Sequence, residues 1–217
     1  MKGIERMGHY SQGEEKFNVI SHTIGIILSI VALVFLVMHA SLHGDAWHIV
    51  TFSIFGVSLI LLYTASTLYH SAKKPELRKK LQIFDHAAVY VLIAGSYTPF
   101  TLVSLHGTIG WIIFGISWGL ALGGIIIKFF FTGKYDLILT IMYVLMGWII
   151  VFALKPLINN LAIEGVLLLF AGGISYTVGA LIYRIKKIKF NHAIFHIFVL
   201  LGSMCHFIAV YFYVLPR

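Results

Sequence analysis

Residues 86–131 read HAAVYVLIAGSYTPFTLVSLHGTIGWIIFGISWGLALGGIIIKFFF. Two apolar runs, about 86–104 and 109–131, are parted here by the short break Leu105–Thr108. Each has the length that a helix needs to cross a bilayer, about 20 apolar residues at roughly 1.5 Å of rise. So short a break turns the chain straight back, which makes the two helices antiparallel neighbours. Moving outward, five more runs qualify, at about 19–39, 48–70, 136–154, 162–183 and 192–214. The polar breaks between them are His39–Trp47, Ser71–Asp85, Thr132–Tyr135, Lys155–Leu161 and Arg184–Asn191. The pattern predicts an all-α membrane protein: a seven-transmembrane-helix bundle over residues 19–217, behind an N-terminal segment at 1–18.

Composition agrees. The chain has 217 residues, 59% hydrophobic and 11% charged, with mean hydropathy +0.94. A soluble domain of this size needs a far more charged surface, whereas a lipid-facing surface must be apolar. The length suits one domain. The first run is too long for a signal-peptide core and is read as retained. A single cysteine, Cys205, rules out an intramolecular disulfide. A net charge of +8 and a pI near 9.6 raise the question of nucleic acid. The basic residues instead sit in short clusters between apolar runs, as membrane-flanking loops do, so no nucleic-acid partner is expected.

Those clusters also orient the chain. Lys2, Arg6, Lys16, Lys73, Lys74, Arg78, Lys79, Lys80, Lys128, Lys134, Arg184, Lys186, Lys187 and Lys189 fall on one side, against Lys155 and Arg217 on the other. The basic side is predicted to be cytoplasmic, with the N-terminus inside and the C-terminus extracellular, in a multi-pass protein of the cell (plasma) membrane. Within the bundle, Gly115, Gly119 and Gly123 recur every fourth residue of the fourth helix, a face suited to close helix contact. Pro99 lies inside the third span and should bend it and free a carbonyl.

Ionisable residues inside a membrane are costly and therefore point to function. His70 lies about one turn from the basic end of the second helix, and Ser66 precedes it by four residues on the same face. Asp85 and His86 open the third helix, and His192 and His196 form an i, i+4 pair at the start of the seventh. His22 lies at the same end of the first. Residues from four helices thus fall within about 10 Å of one membrane face. An i, i+4 histidine pair presents two imidazoles to one ion, and a third from a neighbouring helix completes a set that zinc accepts, with a fourth position left for water. His70, His192 and His196 are the candidate ligands for Zn2+, with Asp85 handling the water and Ser66 hydrogen-bonding nearby.

A histidine near a helix end is equally an ordinary interfacial residue, and the residues alone leave both readings open. His39, His43 and His48 surround the first loop on the opposite side and read as solvated. His206 lies ten residues beyond His196, about 15 Å deeper, and belongs to no common coordination sphere. Glu15, Asn18 and His22 share a face at the entry to the first helix, where capping by Asn18 and loop anchoring are the favoured roles.

At these residues the chain resembles the hemolysin III family of bacterial membrane proteins, related to the progestin and adipoQ receptors (PAQR) and, more distantly, to the alkaline ceramidases. The resemblance is carried by Glu15-Lys-Phe-Asn18-Val-Ile-Ser-His22, Ser66-Thr-Leu-Tyr-His70, Asp85-His86, Gly95-Ser-Tyr-Thr-Pro99-Phe and Asn191-His192-Ala-Ile-Phe-His196. It implies seven helices, an inside amino end, and zinc near the cytoplasmic leaflet held at His70, His192 and His196. Asp85 then holds the zinc-bound water, and Ser66 completes the set. Two functions follow as expectations. One is a zinc-dependent, ceramidase-like amide hydrolase acting on a membrane lipid. The other is a non-enzymatic sensor, receptor-like or cytolytic protein whose zinc is structural.

Overall fold

The structure, a computed structural model, describes residues 10–130 and 136–215. Lys2, Arg6, Lys134 and Arg217, and the whole break at 132–135, lie outside the described residues. Seven helical traverses are long and apolar enough to cross a membrane. Among the described residues they are α1 (Gln12–His43), α2 (Ala46–Ser71), α3 (Pro75–Pro99), α4 (Gly107–Phe130), α5 (Asp136–Gly147) with α6 (Leu154–Asn160), α7 (Ile163–Arg184) and α8 (Asn191–Ala209). There is no strand among them. The chain is a multi-pass membrane protein.

The helices outrun the apolar runs at their polar ends. α1 begins at Gln12 because Ser11 caps it, its hydroxyl accepting from the Glu14 amide at 3.2 Å. The Asn18 capping role is therefore corrected: Asn18 lies in the second turn and is fully buried. α2 starts at a capping box in which the Asp45 carboxylate accepts from the amides of Trp47 and His48. α3 starts at Pro75, whose missing N–H costs nothing in a first helical turn.

Pro99 is the last residue of α3. Directly after it the winding loosens into a π-helical stretch, Phe100–Leu105, and hydroxyls bond back to the carbonyls around the break, Thr98 to Ala94 at 2.9 Å and Thr101 to Tyr97 at 3.0 Å. The fifth traverse differs from its sequence reading. A 3₁₀ stretch, Ile149–Ala153, interrupts it after Trp148, and α6 then covers most of the predicted break Lys155–Leu161. Pro156 does not stop this helix, because it stands in the first turn.

Sequence neighbours pack side by side, α1 on α2, α2 on α3, α3 on α4 and α7 on α8, and α1 also closes onto α8. α3 is the most enclosed traverse. The core between these helices includes Phe52, Phe55 and Tyr63 of α2, with Tyr97 and Phe100 at the end of α3. The outward face of α1 is Phe17, Ile20, Ile24, Ile27 and Val31, which suits lipid and would be a liability in water. Its inward face runs Glu14, Asn18, Ser21, His22, Gly25, Ser29, Ala32 and Leu36: polar at the N-terminal end and small along the middle. Without a hydrophobic drive between helices in lipid, such small and polar faces carry the packing.

The glycine face of α4 is a second correction. Gly115, Gly119 and Gly123 have no neighbour within 4 Å of where a Cβ would stand. The packed face is Gly110, Ser117, Ala121 and Gly124, equally small and offset around the helix. A Cβ on Gly124 would meet the Tyr90 ring at 2.3 Å, with both groups held in the core. Gly124→Ala is expected to destabilise the protein in detergent by about 1–3 kcal/mol, read as a lower thermal midpoint. Gly119→Ala should leave that midpoint unchanged or raise it.

Candidate metal centre

α2 and α8 both pack on α1, and that arrangement brings their histidines together. His70, His192 and His196 are 4%, 5% and 1% exposed, and one ring nitrogen from each lies within 4.8 Å of the other two. The Nε2 atoms of His70 and His192 stand 3.2 Å apart. Imidazole nitrogens bound tetrahedrally to a metal at about 2.0–2.1 Å are separated by roughly 3.3 Å, so this spacing fits a shared ion. The other ring nitrogens are engaged elsewhere. His70 Nδ1 lies 2.7 Å from Glu15 Oε2, with the Asn18 amide at 3.3 Å. His192 Nδ1 lies 2.6 Å from the Tyr10 hydroxyl, and His196 Nδ1 lies 3.3 Å from Ser21 Oγ. Each imidazole therefore turns its remaining nitrogen, Nε2, toward the common centre.

The start of α8 is built from outside itself. Phe190 precedes it in the left-handed region, at φ 58, and supplies no cap. Instead Glu14 Oε1 of α1 accepts from the His192 amide at 3.2 Å, placing a carboxylate at the positive end of the helix. Asn191 Nδ2 donates to Tyr183 O at 2.7 Å and ties the same turn to α7. Strain of this kind persists only where surrounding contacts hold it, and here it sits directly before two of the histidines.

Around the three rings the pocket is aromatic and closed. Tyr69 lies 4.6 Å from His70, and Tyr183 lies 5.0 Å from His192. Burial raises the Tyr10 phenol well above its ordinary pKa, which keeps it neutral beside His192. The second oxygen of Glu15 accepts from Arg78, so an arginine–carboxylate–imidazole chain reaches from α3 to His70. His22 stacks face to face on His196 at 3.6 Å.

Of the other sequence candidates, Asp85 is buried on α3, 3.2 Å from His86 Nδ1 and within electrostatic reach of His70 and His196. It is outside the group of mutually close ligand atoms. Ser66 is 1% exposed on α2, one turn from His70. His206 is held apart, its Nε2 at 3.2 Å from the Leu169 carbonyl. His39, His43 and His48 lie on helices, not in a loop, and His39 is buried against Tyr211. Among the described residues the His70, His192 and His196 set is the one group of three or more His, Cys, Asp or Glu able to hold a metal ion.

Sequence reasoning missed Tyr10, Glu14 and Ser21. Two of them had a signal: Glu14 and Ser21 share the i, i+3, i+4 stripe of α1 with Asn18 and Gly25. Tyr10 precedes the helix and had none.

Fold and site together define a seven-helix membrane protein with three convergent, buried imidazoles at one end of its bundle. Residues 10–207 match the family described as Haemolysin-III related, and the chain belongs to that family. It is 52% identical to "Hemolysin-3" of Bacillus cereus over 203 residues, 94% of this chain and 93% of the relative. It is likewise 52% identical to "Hemolysin-3 homolog" of Bacillus subtilis (strain 168) over 200 residues, 92% and 94% of the two chains. A more distant relative is the human "Monocyte to macrophage differentiation factor", 30% identical over 206 residues, 92% of this chain and 84% of the relative.

Imidazole nitrogens suit zinc, copper, iron or nickel. The chain purified in detergent is expected to carry one transition-metal ion, measured by elemental analysis. His70→Ala, His192→Ala and His196→Ala should each lose most of it, while His206→Ala and His48→Ala should keep it.

Proposed function

We propose that this protein is a zinc-dependent lipid amide hydrolase of the plasma membrane, with its site facing the cytoplasmic leaflet. The observation that carries the reading is the meeting of three buried imidazoles, with the buried carboxylate of Asp85 outside that group but within electrostatic reach of His70 and His196. The end of the bundle where α1, α3 and α8 begin also holds Lys16, Lys73, Lys74, Arg78, Lys79 and Lys80, which supports a cytoplasmic location for the site and for the amino end. The distant tie of the hemolysin III family to the alkaline ceramidases supports an acylated amine as the substrate, and the surrounding apolar helices suit its acyl chain.

His70, His192 and His196 would hold the zinc, which when bound would supply Lewis-acid polarisation of the amide carbonyl and of water. The residues of the chain do the rest. Asp85 removes a proton from the attacking water as the water oxygen bonds to the carbonyl carbon. The carbon–nitrogen bond then breaks, and Asp85 returns that proton to the departing amine, which leaves a fatty acid and a free amine. Ser66, one turn from His70, hydrogen-bonds beside the reacting centre. Glu15, Tyr10 and Ser21 keep the imidazole rings in place.

A second reading rests on the name of the Bacillus cereus relative: a lytic protein in which zinc only ties helix ends together. Fatty-acid release from a panel of ceramides in detergent separates the two. Turnover by the native chain, reduced about 10²–10⁴-fold in Asp85→Ala with zinc retained, is the expected result. Zinc without turnover on any amide lipid contradicts the hydrolase reading, and dye leakage from liposomes that survives loss of the histidines supports the lytic one.

A further inference from the structure

The three ligand imidazoles come from two helices, yet all three of their Nδ1 atoms are met by one stretch of chain, residues 10–21. Tyr10 meets His192 at 2.6 Å, Glu15 meets His70 at 2.7 Å and Ser21 meets His196 at 3.3 Å. These partners are 182, 55 and 175 residues from their histidines in sequence, so nothing local accounts for the matching. Both α2 and α8 pack on α1.

We infer that Tyr10, Glu15 and Ser21 are the positioning residues of the metal centre, and that the start of α1 works as a single clamp holding all three imidazoles in the metal-binding tautomer. The inference rests on the zinc reading above and deepens it.

The clamp acts on the tautomer of each ring. An imidazole binds a metal through a nitrogen lone pair, so Nε2 must carry no proton and Nδ1 must carry one. Nδ1–H then needs an acceptor, and the fold offers one to each ring: a carboxylate, a phenol oxygen and a hydroxyl oxygen. Without such acceptors a ring is free to move its proton to Nε2 or to rotate, and either change removes a ligand. The 3.2 Å approach of the His70 and His192 Nε2 atoms sharpens this, since two protonated nitrogens cannot face each other at that distance.

The three contacts are unequal. Glu15 alone is charged, and Arg78 holds its second oxygen, so the carboxylate is fixed in direction and strengthens His70 as a donor. The two hydroxyl contacts orient their rings and add no charge. Glu15 is therefore expected to matter most.

Zinc affinity of the purified full chain, measured by competition against a chelating dye, tests the clamp. Tyr10→Phe and Ser21→Ala are expected to weaken zinc binding about 10-fold, and Glu15→Gln about 100-fold. Ser21→Thr keeps the hydroxyl and should restore near-native affinity. Ser29→Ala removes a hydroxyl from the same face of α1, bonded to the Gly25 carbonyl and to no histidine, and should leave affinity unchanged. A cobalt-substituted chain gives a second readout, because Tyr10→Phe and Ser21→Ala should shift its visible ligand-field bands while circular dichroism stays native. The two hydroxyl deletions are mild enough to keep the test decisive if Glu15→Gln fails to fold. Native zinc affinity in folded Tyr10→Phe and Ser21→Ala overturns the inference and leaves the metal centre standing. A native chain that binds no zinc overturns the earlier reading instead.

Discussion

Two imidazole nitrogens 3.2 Å apart, buried where water is scarce, are the constraint around which this end of the bundle is arranged. Each such nitrogen is a strong hydrogen-bonding group, and a membrane interior charges several kcal/mol for any that stands unpaired. A shared cation would meet that demand for His70, His192 and His196 at once. The opposite ring nitrogens then need acceptors, which explains why the inward face of α1 is polar over its first turns and small and apolar beyond them. The order of polar residues along α1 is thus a consequence of where the histidines lie.

From that constraint the architecture of the neighbouring segments follows. Glu14 caps α8 from another helix, so the histidine pair begins in the first turn with no capping side chain of its own. Phe190 accepts a left-handed backbone to make the turn between Tyr183 and Asn191 tight enough for that cap to reach. Toward the other end of the traverses π-helical winding follows α3 and 3₁₀ winding interrupts the fifth traverse, and hydroxyls bond back to carbonyls around the loosened turns after α3. The Tyr97 hydroxyl donates to the Gly147 carbonyl at the point where α5 ends.

Much of this was legible in the residues. Each apolar run maps onto a traverse because lipid leaves helices no alternative way to satisfy their backbone. The grouping of the three histidines was legible because His192 and His196 are one turn apart and His70 falls at the same depth once the direction of each helix is counted. The ends of the helices were harder, since Ser11 and Pro75 start α1 and α3 well before hydrophobicity does. The fourth helix carries two small-residue faces, and periodicity cannot say which one turns inward; the partner, Tyr90, decides it. The stripe of α1 includes Ser21, but the stripe alone, like the bare sequence at Tyr10, does not name the partner: a hydroxyl is common, and its meaning lies in a histidine more than 170 residues away.

The most direct measurement of the central claim is X-ray absorption at the zinc edge on the purified full-length chain. A first shell of three imidazole nitrogens and one oxygen at about 2.0–2.1 Å, with the outer-ring scattering that imidazoles give, is the predicted result. A shell of oxygens without imidazole scattering, or one containing sulfur from Cys205, would contradict a centre built on His70, His192 and His196.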